Sequence, residues 1–278
     1  MRRHVVLAGL TLLCAVSVPS ARTPWTALTA EAKEWYSGAP GMERGAVEIA
    51  ATGEGFRTRV VLVRMDPSRF RFRHDVRLRN GGPGWSIDRV PASAVVALNA
   101  GQFSGIAPWG WLVMDGEEVR PPGRGPLSTA ITWDAGGHVR WLAPDDISAA
   151  RAAGDVVEAL QSYPTLIDTR GEIPIQLRED GRGVDIHHRD GRLALGELDD
   201  GRLLIAITRF YGIGPLSPSI PLGPTLAEMA TFMKAQGCRR AVSLDGGISA
   251  QLMVREEGKT RTWRGWRKVP LGLIVEPR

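Results

Sequence analysis

The amino-acid sequence predicts an α+β protein, a single strand-rich domain of mixed or antiparallel sheet with few helices. Short runs of alternating apolar and polar residues recur along most of the chain, and turn residues separate them at hairpin spacing. Only residues 225–237 combine a strong helical periodicity with start and stop signals. Of the 278 residues, 43% are hydrophobic and 23% are charged, so one ordinary core is expected, and no linker or repeat divides it.

The first 21 residues are predicted to be an export signal. Two arginines precede an apolar run at residues 5–18 that is too short to cross a bilayer comfortably, and Ser20 and Ala21 are small enough for signal-peptidase cleavage. The mature protein is therefore expected to be secreted or periplasmic, without stable insertion in a membrane. A lipid anchor at Cys14 is the alternative.

Charge and cysteine content bear on the class of partner. The formal net charge is +5, and removal of the signal takes away two arginines and no acid, which leaves 5 − 2 = +3. Because this charge is mild and dispersed, no nucleic-acid partner is expected. Once Cys14 is removed, Cys238 is the sole cysteine of the mature sequence. No intramolecular disulfide can then form, and a small buried hydrophobe is favoured over a nucleophile.

The elements follow in order from the presumed cleavage site. Residues 22–45 are expected to form an N-terminal helical or linker segment, and residues 46–278 the domain itself. Residues 144–154 predict a short helix capped by Asp145 or Asp146, and the Pro-rich residues 212–224 predict a loop. Strands and hairpins are expected at residues 59–66, 69–78, 93–103, 109–119, 129–144, 159–173, 191–210, 240–244 and 269–278.

The densest basic segment, Arg69 to Arg79, alternates strictly between arginine and apolar or other residues over its first half. Since alternate residues of a strand share one face, the pattern predicts a solvated arginine face. A binding surface for an acidic polymer is the alternative.

The helix at residues 225–237 carries the clearest local signals. Thr225 stands three residues before Glu228, which is the form of a capping box. Gly237 supplies the stop because glycine adopts a left-handed conformation without strain. The apolar stripe falls at i, i+3, i+4 and i+7, and consists of Leu226, Met229, Ala230 and Met233.

Three apolar segments end in small polar clusters, a pattern typical of sites built at strand ends. The clusters are Asn99-Ala100-Gly101, Gln161-Ser162-Tyr163-Pro164 and Asp245-Gly246-Gly247. Glycine beside a polar group lets the backbone approach a ligand closely. Any one cluster alone is more simply a structural turn, but three of them favour a shared site.

With Arg192, Ala194 and Gly196, the three clusters follow the order and spacing of the phosphodiester glycosidase family, the domain of the lysosomal uncovering enzyme and of many bacterial secreted proteins. Residues 93–254 resemble that family, whose members typically show Asn-Ala-Gly followed by Phe, then Gln-Ser-Gly-Pro, Arg-x-Ala-x-Gly and Leu-Asp-Gly-Gly-x-Ser. Two residues depart from the pattern: Tyr163 and Ile248 stand where the family usually has glycine or another small residue. Their bulk puts the identity of the substrate in question more than the fold.

The resemblance implies hydrolysis of a glycosyl-1-phosphodiester at the sugar C1–O bond, through an oxocarbenium-like centre with a phosphodiester leaving group. Three residues are expected to be catalytic. Asp245 directs water to C1 or holds a sugar hydroxyl, Arg192 grips the phosphate bidentately, and Asn99 binds sugar hydroxyls or an acetamido group. No strong general acid is needed, although Asp185 and Asp190 lie near Arg192 in sequence.

Substrate-binding roles are expected for residues next to these three, with Ser249 and the N–H groups of two glycines forming a small nest for an anion. They are Gly101, Phe103, Ser162, His188, Gly246, Gly247 and Ser249. No cofactor or metal is expected, since the pair His187-His188 lacks a spaced carboxylate or cysteine. A packing or surface role for the pair is favoured, with phosphate contact as the alternative.

The sequence contains nine tryptophans, among them Trp109, Trp111, Trp133 and Trp141. These four could form a sugar-stacking platform or pack in the core, and core packing is favoured.

The predicted function is that of a secreted hydrolase acting on a glycosyl-1-phosphodiester of a cell-envelope or extracellular glycan. A non-catalytic glycan- or cell-wall-binding protein with the same fold and pocket is the alternative.

Overall fold

The computed structural model describes residues 32, 34–50, 57–79, 82–125, 127–211, 220–256 and 258–278. Two α-helices lie within them, α1 (Ile147–Ala153) and α2 (Leu226–Ala235). The strands in chain order are β1 (Trp35–Ser37), β2 (Met42–Ala50), β3 (Arg57–Met65), β4 (Phe70–Val76), β5 (Leu78–Arg79), β6 (Gly82–Pro83), β7 (Val96–Asn99), β8 (Phe103–Ser104), β9 (Ala107–Pro108), β10 (Leu112–Met114), β11 (Glu117–Arg120), β12 (Thr129–Trp133), β13 (Val139–Leu142), β14 (Glu158–Ser162), β15 (Thr165–Ile167), β16 (Leu193–Leu198), β17 (Leu203–Tyr211), β18 (Cys238–Leu244), β19 (Leu252–Glu256), β20 (Lys259–Trp263) and β21 (Leu271–Pro277).

The strands form three main sheets. The largest has the order β1-β2-β3-β17-β16-β18-β15, and two five-stranded sheets have the orders β11-β10-β14-β12-β13 and β20-β19-β7-β21-β4. Neighbouring strands in all three pair antiparallel. The predicted α+β class, strand-rich and with few helices, is therefore confirmed.

The main core lies where the three sheets face one another. Val61 and Leu195 from the large sheet pack in the same cluster as Leu98 and Ile131 from the two smaller sheets. Because β16 and β17 are covered on both faces, they read as nearly continuous apolar runs rather than alternating ones.

The second core lies between α2 and the other face of the large sheet. Phe232 and Met233 are fully buried there, and they pack in one cluster with Cys238 at the start of β18. A Cβ on Gly196 would come within 2.9 Å of Met233 Cε in α2 and 2.7 Å of Cys238 Sγ in β18, so this glycine lets the helix layer pack closely on β16. Burial raises the pKa of the Cys238 thiol, which confirms its expected place as a buried hydrophobe.

The helix α2 has the predicted ends. Thr225 Oγ1 accepts from Glu228 N at 3.2 Å, and the Glu228 carboxylate accepts from Thr225 N at 3.0 Å, which completes the capping box. Gly237 follows the helix with a φ of 84°. The predicted short helix is also present as α1, with Asp146 at the N-cap position but without a side-chain capping bond.

The N-terminal segment differs from its prediction. Residues 35–37 form the edge strand β1 rather than a helix, and β2 runs across the expected boundary between residues 45 and 46. Pairing with β2 and stacking of the Arg64 guanidinium 3.8 Å from the Trp35 ring override the helix-compatible local sequence. The predicted export signal, residues 22–31 and residues 212–219 of the predicted loop lie outside the described residues.

The arginine face of β4 exists as predicted, with Phe70 and Phe72 turned inward. Its arginines are largely paired with acids. Arg71 lies 3.1 Å from Asp115, and Arg73 lies 3.4 Å from Glu276. Because these acids neutralise the face, it offers little free positive charge to an acidic polymer. In the described residues, no helix has both the length and the apolar character that crossing a membrane requires.

Candidate active site

The turn after β18 is built by close backbone approach. A Cβ on Gly246 would come within 2.4 Å of Gly191 O, and a Cβ on Gly247 within 2.7 Å of Asp190 Oδ2. Gly247 also has a φ of 56°. Glycine is therefore required at both positions for residues 190–192, which lead into β16, to lie against the turn.

Asp245 holds a half-buried carboxyl group beside this turn. Its Oδ2 is buried and has no hydrogen-bond partner in the described structure. Burial raises the pKa of Asp245 to about 6, although a hydrogen bond from the Ser249 side chain and the charge of Arg267 lower it in part. A carboxyl of this kind changes its charge near neutral pH and keeps one oxygen free for a ligand.

Asp190 supplies a second carboxylate. Its charge contributes to the raised pKa of Asp245, which places the two carboxyl groups in one electrostatic environment. Asp190 Oδ1 accepts from Gly191 N at 2.8 Å, and Oδ2 lies 3.8 Å from His188 Nε2. The sequence singled out Asp190 only as a neighbour of Arg192. Its closeness to Asp245 could not be predicted, because it depends on the pairing of β16 with β18.

Asn99 lies at the end of β7 and is 1% exposed. Its Nδ2 donates to Asp245 O at 2.7 Å, and its Oδ1 accepts from Gln251 N at 2.8 Å. Gly101 O accepts from Asp245 N at 3.2 Å. The Asn99 amide thus holds the backbone on both sides of the turn that carries Asp245, and each of its two polar atoms already has a protein partner.

Arg192 is brought to the same loop, yet its guanidinium is largely engaged. Nε donates to Pro224 O at 2.9 Å and Nη2 donates to His188 O at 2.5 Å. Burial lowers the pKa of Arg192, while Asp190 and two other acids oppose that shift. The predicted bidentate grip on phosphate is therefore not preformed, and Nη1 is the nitrogen that makes no hydrogen bond to the described residues.

The other residues predicted to bind substrate differ in whether they lie at the turn or in the core. Gly101, Gly246 and Ser249 line the turn, whereas Ser162 is fully buried and donates from Oγ to Ser243 O at 2.7 Å. Gly247 N donates to Gly191 O at 2.7 Å, so that N–H does not contribute to an anion nest.

The two histidines have exposed side chains. His188 lies beside Asp190, as described above, whereas His187 Nε2 lies 2.8 Å from Asp180. The His188 side chain is thus at the edge of the site, and His187 is turned away toward another acid.

Arg267 is a site residue that the sequence reasoning missed. It is exposed, and its Cζ lies 4.8 Å from the centre of the Phe103 ring. Its charge also lowers the pKa of Asp245, and it makes no ion pair within the described part of the chain. The run of arginine and tryptophan at residues 261–268 is the signal that could have found it, since interleaved basic and aromatic residues favour ligand contact.

Exposed aromatic and apolar side chains lie on segments next to these residues. Tyr163 is 43% exposed, its carbonyl accepts from Gln102 Nε2 at 3.0 Å, and its ring centre lies 4.6 Å from that of Trp109. Trp266 N donates to Ile248 O at 2.7 Å, and both side chains are exposed. The two residues that depart from the family pattern, Tyr163 and Ile248, are therefore both solvent-facing. Core packing is confirmed for the buried Trp111, Trp133 and Trp141.

A cavity of about 600 Å³ lies elsewhere, beside β15, and none of the residues above line it. We place the site at Asp245 because the unpaired carboxyl oxygen, the second carboxylate and the free arginine converge there. In the described residues, no group of three His, Cys, Asp or Glu side chains has an arrangement that would hold a metal ion.

Comparison with known proteins shows the family and the fold of the chain. The family model for phosphodiester glycosidases matches residues 92–276. No curated protein sequence matches the chain. The fold is similar to that of the zebrafish N-acetylglucosamine-1-phosphodiester alpha-N-acetylglucosaminidase catalytic domain, auto-inhibited by its pro-peptide, with a TM-score of 0.63, 20% identity, and coverage of 89% of this chain and 87% of that one. A hypothetical protein from Synechocystis is similar with a TM-score of 0.62 and 15% identity, covering 86% of this chain, which spans 62% of that protein.

Proposed function

Because the chain belongs to the phosphodiester glycosidase family, we propose that it is a secreted or periplasmic hydrolase that cleaves the sugar C1–O bond of a glycosyl-1-phosphodiester. The substrate is a cell-envelope or extracellular glycan. The single observation that carries the proposal is the half-buried Asp245 carboxyl, whose Oδ2 is buried and unpaired and whose pKa responds to the charges of both Asp190 and Arg267.

Asp245 acts in its ionised form. With a pKa of about 6 it is mostly ionised at pH 7, yet basic enough to accept a proton from water. The water oxygen bonds to C1 while the C1–O bond breaks, and the bonding electrons leave with the phosphate oxygen. The proton passes from water to Asp245 and then to solvent. Because the leaving group is a phosphomonoester, whose oxygen has a low pKa, no strong general acid is required.

The neighbouring side chains hold the substrate around this step. Arg267 is the cation that is free to pair with the phosphate, and Nη1 of Arg192 is available to one further phosphate oxygen. Asp190 contributes negative charge near the developing oxocarbenium centre, and His188 contacts the phosphate from the edge. Asn99 serves as a positioning residue, since it acts through the backbone of Asp245.

Four further residues shape the substrate's surroundings. Gly246 and Gly247 let residues 190–192 lie against the turn that carries Asp245, Gly101 accepts from Asp245 N through its carbonyl, and Phe103 supports Arg267 through its ring. No cofactor is required for the reaction as written.

The test is hydrolysis of methyl phosphodiesters of several sugar 1-phosphates in water enriched in oxygen-18. We expect the label in the released sugar, because the proposal breaks the C1–O bond. Asp245→Asn is expected to lower kcat by at least about 10³-fold. The exposed Asp155→Asn serves as the matched control and should keep wild-type activity.

Label found in the phosphate instead would show P–O cleavage and remove the glycosidase mechanism. Binding of these diesters without turnover by the wild-type protein would replace the enzyme with a glycan-binding protein.

A further inference from the structure

A second, separate group of arginines lines a cavity of about 310 Å³ beside the ends of β3 and β17. Three aromatic residues, Phe210, Tyr211 and Trp263, share the lining, and no acidic residue of the described chain does. Volumes of this size are at the lower end of those that hold small molecules. The arginines are Arg44, Arg59, Arg209 and Arg261.

Arg209 is the unusual member because it is buried without a counter-ion. It is 9% exposed, and its guanidinium donates to backbone carbonyls, including Ala250 O at 2.8 Å and Trp263 O at 3.2 Å. Burial alone lowers the pKa of Arg209 to about 10, and no acid in the described structure opposes the shift. A buried charge held only by carbonyl dipoles is costly unless an anion compensates it.

The nearby acids do not balance the other arginines. Glu256, which is buried behind the cavity, pairs with both Arg44 and Arg261, the latter at 3.0 Å. Glu48 is the cross-strand partner of Arg59, but the two side chains form no ion pair. Arg44 and Arg261 therefore share one carboxylate, and Arg59 and Arg209 have no ion-pair partner in the described residues.

We propose that this arginine pocket binds a phosphate-bearing small anion of about the size of a diphosphate or a sugar phosphate. Guanidinium groups recognise phosphate oxygens bidentately, and several of them around one cavity favour a multiply charged ligand. The aromatic side chains of Tyr211 and Trp263 supply a flat wall for the remainder of such a ligand.

The pocket is distinct from the Asp245 site but lies against the same backbone segment. Arg209 binds the carbonyl of Ala250, and the preceding residue, Ser249, hydrogen-bonds the Asp245 carboxyl through its side chain. Arg209 does not itself contribute to the pKa of Asp245, whereas Arg267 does. An anion in the pocket therefore contacts arginines that the hydrolytic site does not use.

The experiment is calorimetric titration of the full chain with inorganic pyrophosphate at low salt. We expect binding that weakens at least tenfold in the double variant Arg59→Gln/Arg261→Gln and weakens with added salt. Arg120→Gln, an exposed arginine outside the pocket, removes charge as a matched control and should change the Kd less than twofold. Arg267→Gln should also retain binding, because that residue belongs to the Asp245 site.

Two results would overturn the proposal. One is the absence of measurable pyrophosphate binding by the wild-type protein. The other is binding that is lost in Arg267→Gln yet unaffected in the double variant, which would assign the anion to the hydrolytic site. The double variant could lose stability because Glu256 loses its partner Arg261. In that case the single variant Arg59→Gln decides the question, since Arg59 is exposed and makes no ion pair in the described residues. Its expected loss of affinity is at least threefold.

Discussion

The ends of strands β14 and β18 look alike in sequence but differ in their hydrogen bonding. At the end of β14, Gln161 uses both ends of its amide. Oε1 accepts from Trp111 N at 2.9 Å and Gly123 N at 2.8 Å, and Nε2 donates to Gly123 O at 3.1 Å and Ser128 Oγ at 2.9 Å. At the end of β18, Asp245 keeps Oδ2 buried and unpaired.

This difference in hydrogen bonding distinguishes a residue that holds loops in place from one that has an atom free for a ligand. A buried amide whose four bonds are made fixes loops in place and has nothing left for a ligand. A buried carboxylate that lacks a partner is costly to the fold, and such a cost is usually retained where the group is used. Hydrogen-bond saturation, rather than the presence of polar residues at a strand end, therefore distinguishes the two clusters.

The largest expected effect concerns the scaffold. Gln161→Leu removes all four bonds and leaves the N–H groups of Trp111 and Gly123 unpaired, which should lower the free energy of unfolding by about 3 kcal/mol. Urea denaturation measures this loss. The half-buried Gln176→Leu, which makes no comparable network, should stay within about 0.5 kcal/mol.

Activity per folded molecule should remain near that of the wild type in Gln161→Leu. Loss of hydrolysis without loss of stability would break the comparison, because it would place Gln161 in the reaction.

The next effect concerns pH. The pKa of Asp245 is raised from 3.8 to about 6, so the unfolded chain ionises first as pH rises, and the folded state loses stability between about pH 4 and pH 6. Asp245→Asn removes that loss. The variant should be more stable than the wild type by about 2–3 kcal/mol at pH 7.5 and nearly equal to it at pH 3.5.

Denaturation curves of the two proteins across this pH range measure the difference, in which titrating groups that do not interact with Asp245 cancel. A variant that is less stable than the wild type at pH 7.5 would mean that the Asp245 carboxylate is structurally paired, like the Gln161 amide.

The smallest effect concerns Arg267. Arg267→Gln should lower kcat/KM about tenfold, since one exposed charge-assisted contact to phosphate is worth about 1.4 kcal/mol. It should also move the acid limb of the pH–rate profile to higher pH, because Arg267 lowers the pKa of Asp245. The adjacent exposed Lys268→Gln is the matched control, and an equal effect from it would reduce Arg267 to general surface charge.

Much of the fold was predictable because its signals are local. The α2 boundaries follow from Thr225, Glu228 and Gly237, and hairpins such as that of β16 and β17 follow from alternating or continuous apolar runs with a turn between them. The edge strand β1 was not predictable in this way. Its residues are compatible with a helix, and pairing with β2 decides their conformation.

The candidate site was predictable in its parts and less so in its arrangement. The structure brings the segments that carry Asp245, Asn99 and Arg192 together, but the orientation of Asn99 and Arg192 toward backbone carbonyls and N–H groups depends on residues far away in sequence. Asp190 precedes Asp245 in the sequence and Arg267 follows it, and only the tertiary structure brings them close enough to affect the pKa of Asp245.

The sequence by itself determined the strand-rich class, the capped helix and the glycine turn at Asp245, because propensity, periodicity and turn chemistry act between near neighbours. Only the tertiary structure decided which polar groups are satisfied and which remain free. Hydrogen bonding and desolvation depend on atoms that strand pairing brings together across more than a hundred residues, as with Asn99 and Gln251. For that reason Gln161 holds neighbouring loops in place, whereas Asp245 is the centre of the proposed site.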